Sequence, residues 1–247
     1  MENWLQHKIF NSKKVISATT LKDKNFYNNF SLATHTGDNI KEIIKNREYF
    51  MKHFVPRMKA VTLNQTHSDI IVNIDKINLL NGWTQLPIEA DGMVTTKKNI
   101  SLNILTADCL AIVFSDEENG IIGAIHSGWR GTQQKIAVKL IEKMISLGAK
   151  IENIKCAIAP GICGKCYEVG DDVADNFKEY PQTLTKKDNG KWLFDNTKAV
   201  SIQLEKVGIL SRNIKKYDFC TYCDNEKFFS YRKGDKKGRF VTFIAMI

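Results

Sequence analysis

The residue types best suited to chemistry in this 247-residue chain are two histidines and a cysteine, each at the end of an apolar run: His67 in NQTHSD, Cys109 in SLNILTADCL and His126 in AIHSGWRG. Two neutral imidazoles and one thiolate suit Zn²⁺, and three protein ligands leave a fourth position open, as catalytic rather than structural zinc sites do. A zinc held this way brings a bound water to a pKa of about 7. The same atoms support a second chemistry, with Cys109 as nucleophile, His126 as its base, and Asp108, Asp91 or Asn103 orienting that base. Both readings have an uneventful counterpart in which Cys109 is a small buried hydrophobe and the histidines are hydrogen-bonded structural residues. The gaps of 42 and 17 residues match no local zinc motif and do not separate these readings.

Other groups carry weaker signals. HSGWRGT (126–132) passes from an apolar run into a helical pattern, so its backbone N–H groups and Arg130 could hold an anion, although it lacks the GK[ST] of a phosphate-binding loop. The pairs Cys163/Cys166 and Cys220/Cys223 each have zinc-ligand spacing, but the 53 residues between them exceed a zinc-ribbon interval. Unpaired thiols are therefore the expectation for these four. A redox role for CGKC finds no βαβ context around it.

These groups must be positioned by a folded body, and the composition supplies one. At 43% hydrophobic and 26% charged residues the chain reads as globular and excludes disordered, collagen-like and coiled-coil classes. No run reaches the ~18 apolar residues of a membrane span and the N-terminus lacks a secretory apolar run, so a cytoplasmic protein without a membrane partner is expected. The formal charge of +9 invites nucleic acid, but only six of the 36 basic residues are arginine, the remaining lysines are scattered, and no nucleic-acid-binding motif is present. No nucleic-acid partner is expected. A single domain over 1–247 and a monomer complete that reading.

Periodicity predicts a helix over 39–54, capped by Asp38, with Ile40, Ile43, Ile44, Phe50, Met51 and Phe54 on its apolar stripe. A second is predicted over 132–147, burying Ile136, Leu140, Ile141, Met144, Ile145 and Leu147 and ending at Gly148, and a third from Asp195 to Val207, ending at Gly208. Strand-like runs occupy 60–63, 70–74, 92–96, 101–105, 110–114, 120–125, 155–159 and 239–246, and the basic segment 232–239 with its two glycines reads as a turn. Strands in runs, rather than in alternation with helices, predict an α+β fold: a layered sandwich of mixed β-sheets with flanking helices.

Taken in order, THTGDNIKEIIKNR (34–47), NQTHSDIIV (64–72), EADGMVTT (89–96), LTADCLAIVF (105–114), IIGAIHSGWRGT (121–132), IAPGICGKCYEVG (158–170), CTYC (220–223) and FFSYRKGDKKGRFVTFI (228–244) resemble the YfiH-type purine nucleoside phosphorylases, long labelled polyphenol oxidases or laccase-domain proteins. The resemblance implies zinc ligands at His67, Cys109 and His126, with copper the alternative behind the older label. It implies phosphorolysis of adenosine, inosine and methylthioadenosine to base and ribose 1-phosphate, and deamination of adenosine, so purine nucleosides and phosphate are the expected partners. Asp108 and Asp91 are the candidates for moving protons beside Cys109 and His126, and Arg130, Arg47, Arg232 and Arg239 for binding phosphate or substrate, with Arg57 also available. A copper-dependent polyphenol oxidase ranks second, because two histidines and one cysteine make one site and not several copper centres. The chain departs from the pattern in reading ADCLA for ADCLP, HSGWRG for HAGWRG, and Cys163 where relatives usually carry glycine.

Overall fold

A computed structural model describes residues 4–247. Two mixed six-stranded sheets form the body. The first runs in the order Trp4–Gln6, Val15–Thr20, Phe240–Met246, Ile100–Thr106, Lys59–Asn64, Gly82–Glu89. The second runs Ile214–Lys216, Lys155–Ile158, Leu110–Asp116, Ile121–Ser127, Gly92–Thr95, Ile71–Asn73. A small third sheet joins Glu168–Val169, Trp192–Phe194 and Leu184–Lys186. This is the α+β layered arrangement expected from the sequence.

The period-2 alternation of the strands divides the core into layers. Ala111 and Val113 of Leu110–Asp116 face Val61, Leu102 and Ile104 between the two large sheets, while Leu110, Ile112 and Phe114 face outward onto the helix Ile136–Ser146. On the opposite side Val241, Phe243 and Ala245 meet Phe50 of the helix Ile40–His53. The order is thus helix, sheet, sheet, helix, and the long central strands are buried on both faces. Among the described residues no helix is long and apolar enough to cross a membrane.

All eight predicted strand runs lie on observed strands. Two longer strands, Val15–Thr20 and Gly82–Glu89, escaped the reading. The second contains Pro87, which usually argues against a strand; it is tolerated here because Gly82–Glu89 is an edge strand. The first helix is capped by Asn39, whose side chain accepts from Lys41 N, rather than by Asp38, which is engaged by Tyr27 and Asn28. Its buried stripe is Ile43, Asn46, Arg47 and Phe50, so Ile40 and Ile44 face solvent. The predicted 132–147 helix is broken: Trp129–Gln133 ends before Lys135, whose left-handed backbone (φ 59°) starts Ile136–Ser146 afresh. There Ile145 is exposed and Ala137 takes its place inside. The third helix, Asn196–Lys206, has the expected Asp195 cap, bonded to Lys198 N, and Gly208 follows in the left-handed region.

Candidate active site

Strand register brings the chemical groups together. Leu110–Asp116 and Ile121–Ser127 form an antiparallel hairpin in which Ala111 faces His126 and Leu110 faces Ser127, so Cys109, one residue before the strand, arrives beside His126. Gly92 pairs with Ile125 on the other side, which sets Asp91 next to His126, and His126 N donates to Asp91 O at 2.7 Å. His67 reaches the same place from the loop after Lys59–Asn64, its backbone in the left-handed region (φ 63°), as is that of Asp108 (φ 89°). Non-glycine residues in this region cost of order 1 kcal/mol or more and persist where their surroundings hold them. One donor atom from each of His67, Cys109 and His126 lies within 4.8 Å of the others, and Cys109 Sγ is 3.9 Å from His67 Nε2.

Asp91 organises this trio. It is 0% exposed, and its two oxygens accept from the backbone N–H groups of Thr66, His67 and Ser68, from Ser68 Oγ, and from His126 Nδ1 at 2.7 Å. The bond to Nδ1 fixes the ring orientation and leaves Nε2 as the donor atom on the cavity side, the usual carboxylate support of a metal-binding histidine. Burial disfavours the Asp91 carboxylate, but His126 and Ser68 outweigh it and hold its pKa below the ordinary value. Asp91 therefore has no free oxygen for moving a substrate proton, and of the two expected roles the geometry favours orienting His126.

Asp108 lines the cavity, and each of its oxygens accepts one bond: Oδ1 from Thr221 Oγ1 at 2.6 Å and Oδ2 from Arg232 N at 2.7 Å. It stitches the 221–232 segment to the hairpin. Cys109 is the more poised group. Burial pushes its thiol up, but the facing His126 and His67 outweigh burial and hold it at about 6. Burial lowers His126 in turn, and Cys109 and Asp91 raise it to about 9. The metal-free protein thus carries a thiolate–imidazolium pair, and alkylation of Cys109, followed by peptide mapping, is expected to rise through pH 6 and level off by pH 8. A midpoint near the ordinary thiol value of about 8.5 would contradict that arrangement.

Gly128 shows how closely the trio is packed. A Cβ there would lie 2.9 Å from His67 Cδ2 and 3.1 Å from Cys109 Sγ, although its backbone (φ −69°) is open to any residue. Gly128→Ala is therefore expected to keep the fold and to lower metal affinity about 10-fold or more, the range seen when groups supporting a metal ligand are disturbed; titration with a competing chelator reads this directly.

The trio opens into a cavity of about 350 Å³, a size suited to a small metabolite. Of the arginines considered for anions, Arg232 and Arg239 line it. Arg130 does not: it is exposed, lying 4.3 Å over the Trp129 ring at the rim. Arg47 is buried against Trp83 and donates to Leu32 O, Thr34 Oγ1 and Gln85 Oε1, so it is a structural residue of the first helix. The segment after His126 forms only a five-residue helix, whose start, Gly128 and Trp129, contributes to the wall.

Several wall residues had no signal in spacing. His35 stands in THTGD and is kept below the usual imidazole value by partial burial and by Arg239 and Arg47. Tyr167, in YEVG, is pushed up to about 12 by burial and by Cys109, so it remains a neutral phenol. Thr106 and Asn196 also face the cavity; Thr106 Oγ1 and Asn196 Oδ1 are buried without a hydrogen-bond partner among the described residues. For His35, Thr106 and Tyr167 the only hint was their place inside the motif segments; Asn196, at the start of the third predicted helix, had none.

The donor set, two imidazoles and a thiolate beside a cavity, fits zinc or copper with an open position. A family model described as multi-copper polyphenol oxidoreductase laccase matches residues 18–247. The chain is 32% identical over 231 residues to adenosine deaminase RL5 from an unknown prokaryotic organism, covering 90% of this chain and 88% of that protein. It is 34% identical over 223 residues to a purine nucleoside phosphorylase of Clostridium acetobutylicum, covering 87% and 86% respectively. The crystal structure of YlmD from Geobacillus stearothermophilus superposes with a TM-score of 0.88 at 26% identity, over 99% of this chain and 96% of that one.

Proposed function

The chain belongs to the multi-copper polyphenol oxidoreductase laccase family, and on that premise we propose that it is a zinc-dependent purine nucleoside phosphorylase that also deaminates adenosine. The observation that carries this reading is the meeting of His67, Cys109 and His126 at one end of a cavity whose wall also bears Arg232 and Arg239. Three ligands at one point suit a single catalytic metal better than the several coppers of a laccase. Relatives named for both nucleoside activities support the substrate class.

A zinc on the three donors would act as a Lewis acid toward oxygen bound at its open position. The chain's own residues then have separable tasks. Asp91 holds the His67 backbone and the His126 ring in place and fixes the His126 tautomer. Trp129, Tyr167 and Tyr231 offer aromatic surface for a purine. The unsatisfied Thr106 Oγ1 and Asn196 Oδ1 are partners for hydroxyl or amine groups of a nucleoside, since buried polar atoms gain by being paired. Arg239 spends Nη1 on the carbonyls of Gly238 and Lys236, which leaves the rest of its fork for phosphate, with Arg232 supplying further positive charge. With the Asp91 oxygens filled, Asp108, which keeps a free lone pair on each oxygen, the neutral Tyr167 phenol and His35 are the groups of the wall placed to hold a proton at a substrate atom.

The test is chromatography of products after incubating zinc-loaded, metal-analysed protein with adenosine, with and without phosphate. Phosphate-dependent adenine with ribose 1-phosphate is the expected result, and inosine formed without phosphate is the expected deaminase product. Neither product from a zinc-loaded sample would overturn the proposal and leave a Cys109/His126 hydrolase as the better reading. Oxidation of phenols only after copper addition would favour the oxidase.

A further inference from the structure

A second set of sulfurs converges outside the catalytic trio. Lys155–Ile158 and Ile214–Lys216 are adjacent parallel strands, with Cys156 opposite Ile214 and Ile158 opposite Lys216. Their pairing direction continues as an isolated parallel bridge between Gly161 and Cys220, where Thr221 N donates to Gly161 O at 3.1 Å. The two CxxC loops therefore leave the same end of neighbouring strands side by side, and the long sequence gap between them closes in space. The sulfurs of Cys163, Cys166, Cys220 and Cys223 all lie within 4.8 Å of one another; Cys166 and Cys223 approach to 3.4 Å, and all four are free thiols.

The geometry fits one ion. A tetrahedral zinc with Zn–S bonds of about 2.3 Å sets its sulfurs about 3.8 Å apart, between the 3.4 Å of Cys166 and Cys223 and the upper bound of 4.8 Å. The backbone donates to one of these sulfurs as well: Cys163 N–H donates to Cys220 Sγ at 3.3 Å. N–H donors stabilise a thiolate. Four sulfurs gathered without a metal would repel one another as they ionise, whereas a dication neutralises them.

We propose that Cys163, Cys166, Cys220 and Cys223 form a closed tetrathiolate zinc site, structural rather than catalytic because four protein ligands leave no open position. It pins together two loops that build the cavity wall: one carries Ile162 and Tyr167, the other leads through Thr221, bonded to Asp108, to Tyr231 and Arg232. This holds whatever reaction the cavity catalyses.

The test is zinc content of the full chain purified under reducing conditions with zinc supplied. Wild type is expected to hold two equivalents, Cys109→Ser one, and Cys166→Ser/Cys223→Ser one. Cobalt taken up by Cys109→Ser should show the intense visible bands and near-ultraviolet thiolate charge transfer of a tetrathiolate site, and Cys163, Cys166, Cys220 and Cys223 should resist alkylation until a chelator is added. If the double variant does not fold, the Cys109→Ser protein alone decides. Zinc absent from folded Cys109→Ser, with the four thiols alkylating at once or linked as disulfides by mass, would overturn the proposal without touching the reading of the cavity.

Discussion

Cys109→Ala is expected to fold, to bind no metal in the cavity and to lose about 10³-fold in kcat/KM. A metal supplies several kcal/mol of charge stabilisation in a transition state, and each tenfold in rate is about 1.4 kcal/mol. The fold survives because Cys109 precedes the strand and lies half-buried at the cavity, outside the apolar clusters of the core. Its thermal midpoint measured in chelator should match that of metal-free wild type within a few degrees. Cys109→Ala alone cannot separate a metal ligand from a nucleophile, since both roles end with the sulfur. His67→Ala does so: a Cys109/His126 pair works without His67, whereas a three-ligand site loses one third of its donors. Equal losses in the two variants, with loss of cavity zinc in both, are the expected outcome, and an active His67→Ala enzyme would refute the metal site.

The second large effect falls on Asp91, where a positioning residue costs as much as a ligand. Asp91→Ala leaves three loop N–H groups and the His126 ring unpaired in a buried pocket, and removing one partner of a buried charged pair costs about 3–5 kcal/mol. Asp91→Asn keeps the shape but presents an NH₂ where donors point; it is expected to lower metal affinity about 10–100-fold. The pH dependence follows from the depressed folded pKa. The carboxylate contributes stability above its unfolded pKa of about 3.9, and that contribution is lost as pH falls through the lower folded value. In the metal-free protein the stability gap between wild type and Asp91→Asn should therefore shrink below about pH 4 and, because Asp91 also helps raise His126 to about 9, shrink again as pH rises above the unfolded imidazole value of about 6.5. A gap that widened as pH fell below about 5 would contradict the role given to Asp91.

What the sequence made legible, and what it hid, has physical causes. Donor chemistry and the ends of apolar runs were enough to select His67, Cys109 and His126, because ligand type is a property of single residues. Their convergence was not readable from gaps of 42 and 17 residues; it depends on hairpin register, which sets Ala111 against His126. Of the two tasks the sequence offers for Asp91, orienting His126 and moving a proton, only the geometry selects the first, since its oxygens are also filled by backbone N–H groups that leave no side-chain trace in NQTHSD. The four clustered cysteines were set aside by a spacing rule that presumes both ligand pairs belong to one local ribbon, whereas here they hang from two strands paired across the sheet. Arg47 illustrates the opposite error. A cation on an amphipathic helix reads as available for an anion, but its aliphatic stem and planar head fill a space over Trp83.

The cavity divides its labour by element. The trio and Asp91 sit at or beside the ends of strands in the central sandwich, where the 110–127 hairpin is paired on both sides. The residues facing a substrate, among them His35, Tyr167, Asn196, Tyr231 and Arg239, come from separate connections and helix ends around it. Substitutions in those connections alter the shape and polarity of the wall without passing through the hairpin, so the reactive centre and the choice of molecule are under nearly independent mutational control. A lineage built on this scaffold can drift among substrates while its chemistry is inherited unchanged.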